Sequence, residues 1–156
     1  LIAAEEHRGV AKVLAADRDR AARSVKRAVF AAARRADADS RCTLSDADIA
    51  RFGSALSDIV LRDPVWLAID AGRLDGRPLW RELARRLPGH YAAGPLFLFG
   101  WASWRAGNGA LAAIAAERAV ERDPAYSAAD LLRAALAHGL GPSQVPKLRP
   151  RRTRAA

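Results

Sequence analysis

The chain has one cysteine, Cys42, and no methionine. A lone thiol closes no internal disulfide and builds no cysteine cluster for zinc, so packing has to hold the chain together. Aromatic residues fill only 6% of its 156 positions, and apolar residues in strand-length alternation are scarce. Without such alternation there is little from which to build a sheet. The longest apolar stretch, Tyr91 to Trp104, is interrupted by Gly94, Pro95 and Gly100. It is too short to span a bilayer, which excludes a transmembrane helix there. The first residues carry no basic-then-apolar leader pattern and no initiator methionine, and the chain reads as a piece of a longer cytoplasmic protein.

What is abundant is alanine, at 37 of 156 positions, and arginine, at 23 against three lysines. Both are good helix formers. The expectation is an all-α chain of antiparallel helical hairpins packed as a small bundle. Its length suits one core at roughly 100 to 200 residues per domain.

Residues 3–38 place Val10, Leu14, Ala21, Val25, Val29 and Ala32 at three-, four- and seven-residue steps, which predicts one long helix or two. Gly9 and Asp17-Arg18-Asp19 are the candidate breaks. Three units follow: a basic N-terminal helix or helices over 1–40, docked or protruding, a helical domain over 44–146, and a basic tail over 147–156 expected to be disordered. Ser45 with Asp48 forms a capping-box pattern, with Leu44 placed to staple onto Ile49. Ile49, Phe52, Leu56, Ile59 and Val60 then make one apolar stripe. Asp63-Pro64 and Asp123-Pro124 read as helix starts, aspartate as cap and proline at the first helical position. Between them lie a helix from Pro78 to Leu87, an almost wholly apolar helix from Pro95 to Ala106, a Gly107-Asn108-Gly109 turn and an alanine-rich helix from Ala110 to Arg122. A last helix ends at Gly139. The segments beginning at Arg62 and at Arg122 share R-D-P-x-aromatic-x-A-x-D, and both read as helix-to-helix junctions.

The net charge of +9 is concentrated. Residues 18–35 hold seven basic side chains against one acid, and residues 147–156 hold five against none. The remainder is nearly neutral. Candidate phosphate contacts are Arg20, Arg23, Arg27, Arg149, Arg151, Arg152 and Arg154, unless these are simply solvated surface. A second arginine stripe, Arg77, Arg81 and Arg85, runs along the helix before Pro88. Arg105 with Asn108 forms a candidate polar site at the rim of the glycine turn. The aromatics Tyr91, Phe97, Phe99, Trp101 and Trp104 either fill the core or line a groove.

Catalytic chemistry is poorly represented. His7, His90 and His138 are scattered without metal-ligand spacing. Gly107-Asn108-Gly109 lacks the strand and the Lys-Ser/Thr of a phosphate loop. The paired carboxylates for acid-base work would be Asp63 with Asp70, or Asp123 with Asp130, and the first of each is accounted for as a helix cap. No catalytic residue, cofactor or metal is assigned.

Gly100, Gly107, Ala112, Ala119 and Asp123-Pro124 resemble one tetratricopeptide repeat over 93–124, in which small residues let two antiparallel helices approach. The fold expectation therefore includes a short tetratricopeptide-like stack. More extensively, RDPVWLAIDAGRLDGRPLW at 62–80, ARRLPG at 84–89, AGPLFLFGWASWRAGNG at 93–109 and AAERAVERDPAYSAADLL at 115–132 resemble the actinobacterial family known as domain of unknown function four-one-nine-two. That resemblance covers about Ser45 to Leu148 and implies the helical C-terminal half of a cytoplasmic protein. It carries no catalytic residue. The reading is a non-catalytic helical module for protein interaction or structure, with an unidentified protein partner. The alternative is a nucleic-acid-associated protein that uses the basic helix 18–35 and the tail.

Overall fold

The computed structural model describes residues 2–150, and for residues 2–4, 6 and 7 the backbone alone. Seven α-helices account for the regular structure of the described residues, with two short 3-10 turns at Gly89–Ala92 and Pro142–Gln144. The all-α expectation holds. None of the helices is long and apolar enough to cross a membrane, among the described residues.

The N-terminal segment is one helix, α1 (Ile2–Asp39), of 38 residues and hence about 57 Å at 1.5 Å per residue. Only its C-terminal half docks. Val29, Ala32, Ala33 and Ala36 are buried, whereas Val10, Val13 and Leu14 are about 60% exposed. The apolar period runs farther than the body that covers it, so Val10, Leu14 and Ala21 lie outside the core that periodicity suggested. The docked end is fastened by Asp37, whose two carboxylate oxygens accept the Gly76 N–H at 2.8 and 2.9 Å. Gly76 has φ 73°, and Trp80 packs so closely on its Cα that a Cβ would lie 2.5 Å from the indole. Glycine is required there on both counts.

Helix α2 (Asp46–Leu56) starts as expected: Ser45 Oγ accepts the Asp48 N–H at 3.1 Å and donates to the Asp48 carboxylate at 3.0 Å. It ends two residues before Asp58, so Ile59 and Val60 do not extend its stripe. They open α3 (Ile59–Asp70) and are 59% and 72% exposed. Asp58, not Asp63, is the cap of α3, accepting the Val60 N–H at 2.9 Å. Pro64 therefore sits inside the helix, where it removes the bond to the Val60 carbonyl. Because Val60 is exposed, water can serve that carbonyl.

Asp123-Pro124 also differs from expectation. Asp123 Oδ1 accepts the Ala125 N–H at 3.0 Å and its carbonyl accepts the Tyr126 N–H at 3.0 Å, forming a turn before the helix rather than its first residues. The two R-D-P segments are thus not equivalent, one lying inside a helix and the other in a loop.

The remaining helices are α4 (Arg77–Arg86), α5 (Ala93–Arg105), α6 (Gly109–Arg122) and α7 (Ser127–Ala137). α5 is the hub, packing on α2, α3, α4, α6 and α7. That is why it is apolar nearly all round, with Phe97, Leu98, Trp101 and Trp104 buried. Its closest neighbour is α6, reached at Gly100, where an added Cβ would lie 3.2 Å from Ala115 Cβ and 3.1 Å from Leu132 Cδ2.

Candidate functional site

Helix α6 buries its alanines and exposes its large residues. Ala112, Ala115, Ala116 and Ala119 face α5 with exposures of 3% or less, while Leu111 and Ile114 are 39% and 52% exposed. Close approach at Gly100 leaves room only for methyl groups, and the bulky side chains turn outward beside the half-buried Leu96 and Phe99 of α5. With α4 on the other side of α5, these four residues form the apolar lining of a groove of about 620 Å³.

The groove is rimmed by arginines: Arg81 and Arg85 from α4, and Arg118 and Arg122 from α6, with Glu121 as the one acid in its lining. Arg85 pairs with Glu82 at 2.8 Å. That bond, reinforced by Arg86, holds the Glu82 carboxyl below its ordinary pKa despite partial burial. The side chains of Arg81, Arg118 and Arg122 enter no ion pair or hydrogen bond among the described residues. Three cations beside exposed leucine and isoleucine constitute a surface with unspent binding capacity.

Other predicted site residues are spent internally. Arg77 is held by Asp75 through two bonds of 2.8 Å, so only Arg81 and Arg85 of its stripe reach the groove. Arg86 donates to the Leu44 carbonyl at 2.9 Å and pairs with Asp46. Arg105 does not form a surface site with Asn108. It turns inward to Asp70, whose side chain is 1% exposed, and donates to the Pro142 carbonyl at 2.8 Å. Asn108 instead caps α6, accepting the Leu111 N–H at 3.1 Å.

Asp70 is the centre of a latch that sequence reasoning missed. It accepts Trp101 Nε1–H at 3.0 Å, Arg105 Nε–H at 2.6 Å and the Leu148 N–H at 2.6 Å. Trp104 Nε1–H adds a bond to the Leu140 carbonyl at 3.1 Å. Together these strap residues 140–148 across α3 and α5. A second buried cation, Arg62, is 8% exposed and lies within 5.3 to 5.7 Å of the rings of Trp66, Phe97 and Tyr126. It donates to Tyr126 Oη at 2.9 Å and to Asp63. Burial pushes the Tyr126 phenol above its ordinary pKa, against the opposing pull of Arg62.

Of the phosphate candidates, Arg20, Arg23 and Arg27 are exposed along one face of α1, with Arg20 within 3.5 Å of Asp17. Arg149 is exposed, and Arg151, Arg152 and Arg154 lie outside the described residues. Among the described residues no group of three His, Cys, Asp or Glu is arranged to hold a metal.

A family model described as Domain of unknown function (DUF4192) matches residues 2–143. The chain belongs to that family. The match begins with α1, so the family's domain includes the basic helix as well as the segment that carries the resemblance in sequence. No curated protein and no solved structure matches the chain. The groove therefore has to be read from its own chemistry. Its signal in the sequence was the pairing, within α6, of an all-alanine face with a second face carrying Leu111, Ile114, Arg118 and Arg122.

Proposed function

We propose that this DUF4192 domain is a non-catalytic interaction module of a cytoplasmic protein, holding a segment of a partner protein in the groove over α5. The observation that carries this reading is the outward placement of Leu111 and Ile114 in a groove lined by four arginines. Exposed apolar surface rimmed by polar groups is the usual mark of a protein contact. The buried Arg62 and Asp70, by contrast, are engaged in holding the fold. A random peptide library selected on the chain and counter-selected on Ile114→Asp tests it. The reading expects clones that discriminate the two. If every clone binds both equally, the groove is not the docking surface.

A second reading rests on Arg20, Arg23 and Arg27, which α1 presents to solvent on one face. Three phosphate contacts would give a slope of log affinity against log salt near −2.7 on duplex DNA. A titration with mixed-sequence duplex at several salt concentrations decides it, a slope near zero excluding phosphate contact by this face.

A further inference from the structure

Building on the groove reading, we infer that the segment it accepts is an acidic amphipathic α-helix of a partner protein, its apolar stripe on Leu96, Phe99, Leu111 and Ile114 and its carboxylates on Arg81, Arg118 and Arg122. The first argument is shape. α4 and α6 both pack on α5, which leaves a trough with one helix as its floor and two as its walls. Its apolar residues repeat at three-residue steps, Leu96 with Phe99 and Leu111 with Ile114, and its arginines at four-residue steps, Arg81 with Arg85 and Arg118 with Arg122. These are helical periods, and ridges of that period accept the ridges of another helix. An extended peptide would need a sheet edge for its backbone, and every regular element among the described residues is helical.

The second argument is charge. Glu121 is the single acid in the lining against four arginines, and of those four Glu82 pairs with Arg85 alone, sharing its charge with Arg86. A helix with carboxylates flanking its apolar stripe meets Arg81 on one wall and Arg118 and Arg122 on the other. A second copy of this chain is disfavoured, because the exposed apolar residues of its α1, Val10, Val13 and Leu14, run directly into the basic stretch 18–35. Nucleic acid is disfavoured at this site because phosphates would leave Leu111 and Ile114 in water, and the half-buried Phe99 is the only aromatic residue in the lining on which a base might stack. The helix α6 has 14 residues, about 21 Å, so about four turns of partner helix fill the groove.

The test uses the whole chain and four designed peptides of about 16 residues, sharing one leucine stripe at i, i+3, i+4 and i+7. Three flank it with glutamate, glutamine or lysine, and the fourth is the glutamate peptide interrupted by proline. Affinities are read by fluorescence anisotropy at 50 and 200 mM salt. Three exposed ion pairs of ordinary strength give the glutamate peptide an advantage of about tenfold over the glutamine peptide. That advantage is expected to shrink at the higher salt and to fall to about twofold in Arg118→Gln/Arg122→Gln, where only Arg81 is left to pair and whose substitutions are on the surface and leave the melting temperature unchanged. Glutamine and glutamate peptides binding alike would overturn the acidic partner while leaving the groove reading intact. Equal binding by the proline-interrupted peptide would overturn the helix. Glutamate-peptide binding that survives Ile114→Asp would place it elsewhere on the basic surface, and no binding by any peptide, with no discriminating clone from the library, would remove the groove reading itself.

Discussion

Replacing Asp70 by alanine removes one carboxylate and strands three donors. The Asp70 side chain is 1% exposed and that of Arg105 14%, so the charge left behind on Arg105 has little water to replace its partner. Trp101 Nε1–H and the Leu148 N–H lose their acceptor in the same step. Breaking a buried pair from one side costs about 3 to 5 kcal/mol. A domain of this kind has a total stability of roughly 5 to 15 kcal/mol, so the variant is expected to retain its fold with a much lower urea midpoint. The double variant Asp70→Ala/Arg105→Ala carries no stranded charge and is expected to cost less than the sum of the two single changes, with a coupling of about 1 to 3 kcal/mol. Urea unfolding of the four proteins measures both quantities. Amide exchange at Leu148 gives an independent local readout, since its N–H is bound to Asp70 and nothing else. A loss below about 1 kcal/mol for Asp70→Ala, or an additive double variant, would refute the latch, whatever happened to the exchange rate.

Two further outcomes are expected. Gly100→Ala places a methyl 3.1 Å from Leu132 Cδ2 and 3.2 Å from Ala115 Cβ; overpacking of about 1 to 3 kcal/mol is set against the roughly 1 kcal/mol that alanine gains over glycine inside a helix, so a lower midpoint in thermal or urea unfolding is expected, and an unchanged or higher one would show that α6 and α7 yield. Tyr126 has a phenol pKa raised by burial, so its contribution to stability is complete below the unfolded value of about 10 and is lost as pH rises through the higher folded value. The stability advantage of the parent over Tyr126→Phe should therefore shrink above about pH 10, and an advantage constant to higher pH would contradict the assignment.

Local chemistry was legible in the sequence where it depended on neighbours a few residues apart. Ser45 with Asp48 specifies a helix start by itself, and the all-round apolar character of α5 specifies its central position. The α5–α6 approach could be read from Gly100 with Ala112 and Ala119, because only small residues permit it. Asp63-Pro64 misled because a cap is decided by competition. Asp58 stands five residues earlier with an extended backbone and a carboxylate that accepts the Val60 N–H, and once it starts the helix, Pro64 falls inside it. Val10 and Leu14 misled because periodicity reports which face of a helix is apolar and says nothing about how far the opposing body reaches.

The arginines show most clearly what spacing leaves undetermined. Arg77, Arg81 and Arg85 lie on one helix at four-residue steps, yet Asp75 holds the first, Glu82 the last, and the middle one stands free at the groove. Arg62 and Arg105 look from the sequence like surface residues at helix ends, yet the first is buried and the second half-buried against aromatic rings, with Asp63 and Tyr126 around one and Asp70, Trp101 and Trp104 around the other. Whether an arginine serves the fold or a ligand is decided by the acid and the rings that reach it, and the partners that spacing cannot show lie far away in the chain: Asp70 is 35 residues from Arg105 and Tyr126 is 64 from Arg62. The same long-range contacts sort the remaining cations by elimination. Once Arg62, Arg77, Arg86 and Arg105 are consumed, the free arginines of the helical body include Arg81, Arg118 and Arg122, and these meet at the groove where Leu111 and Ile114 are exposed. Coincidence of unspent charge with unspent apolar surface is what separates a binding face from a merely basic one.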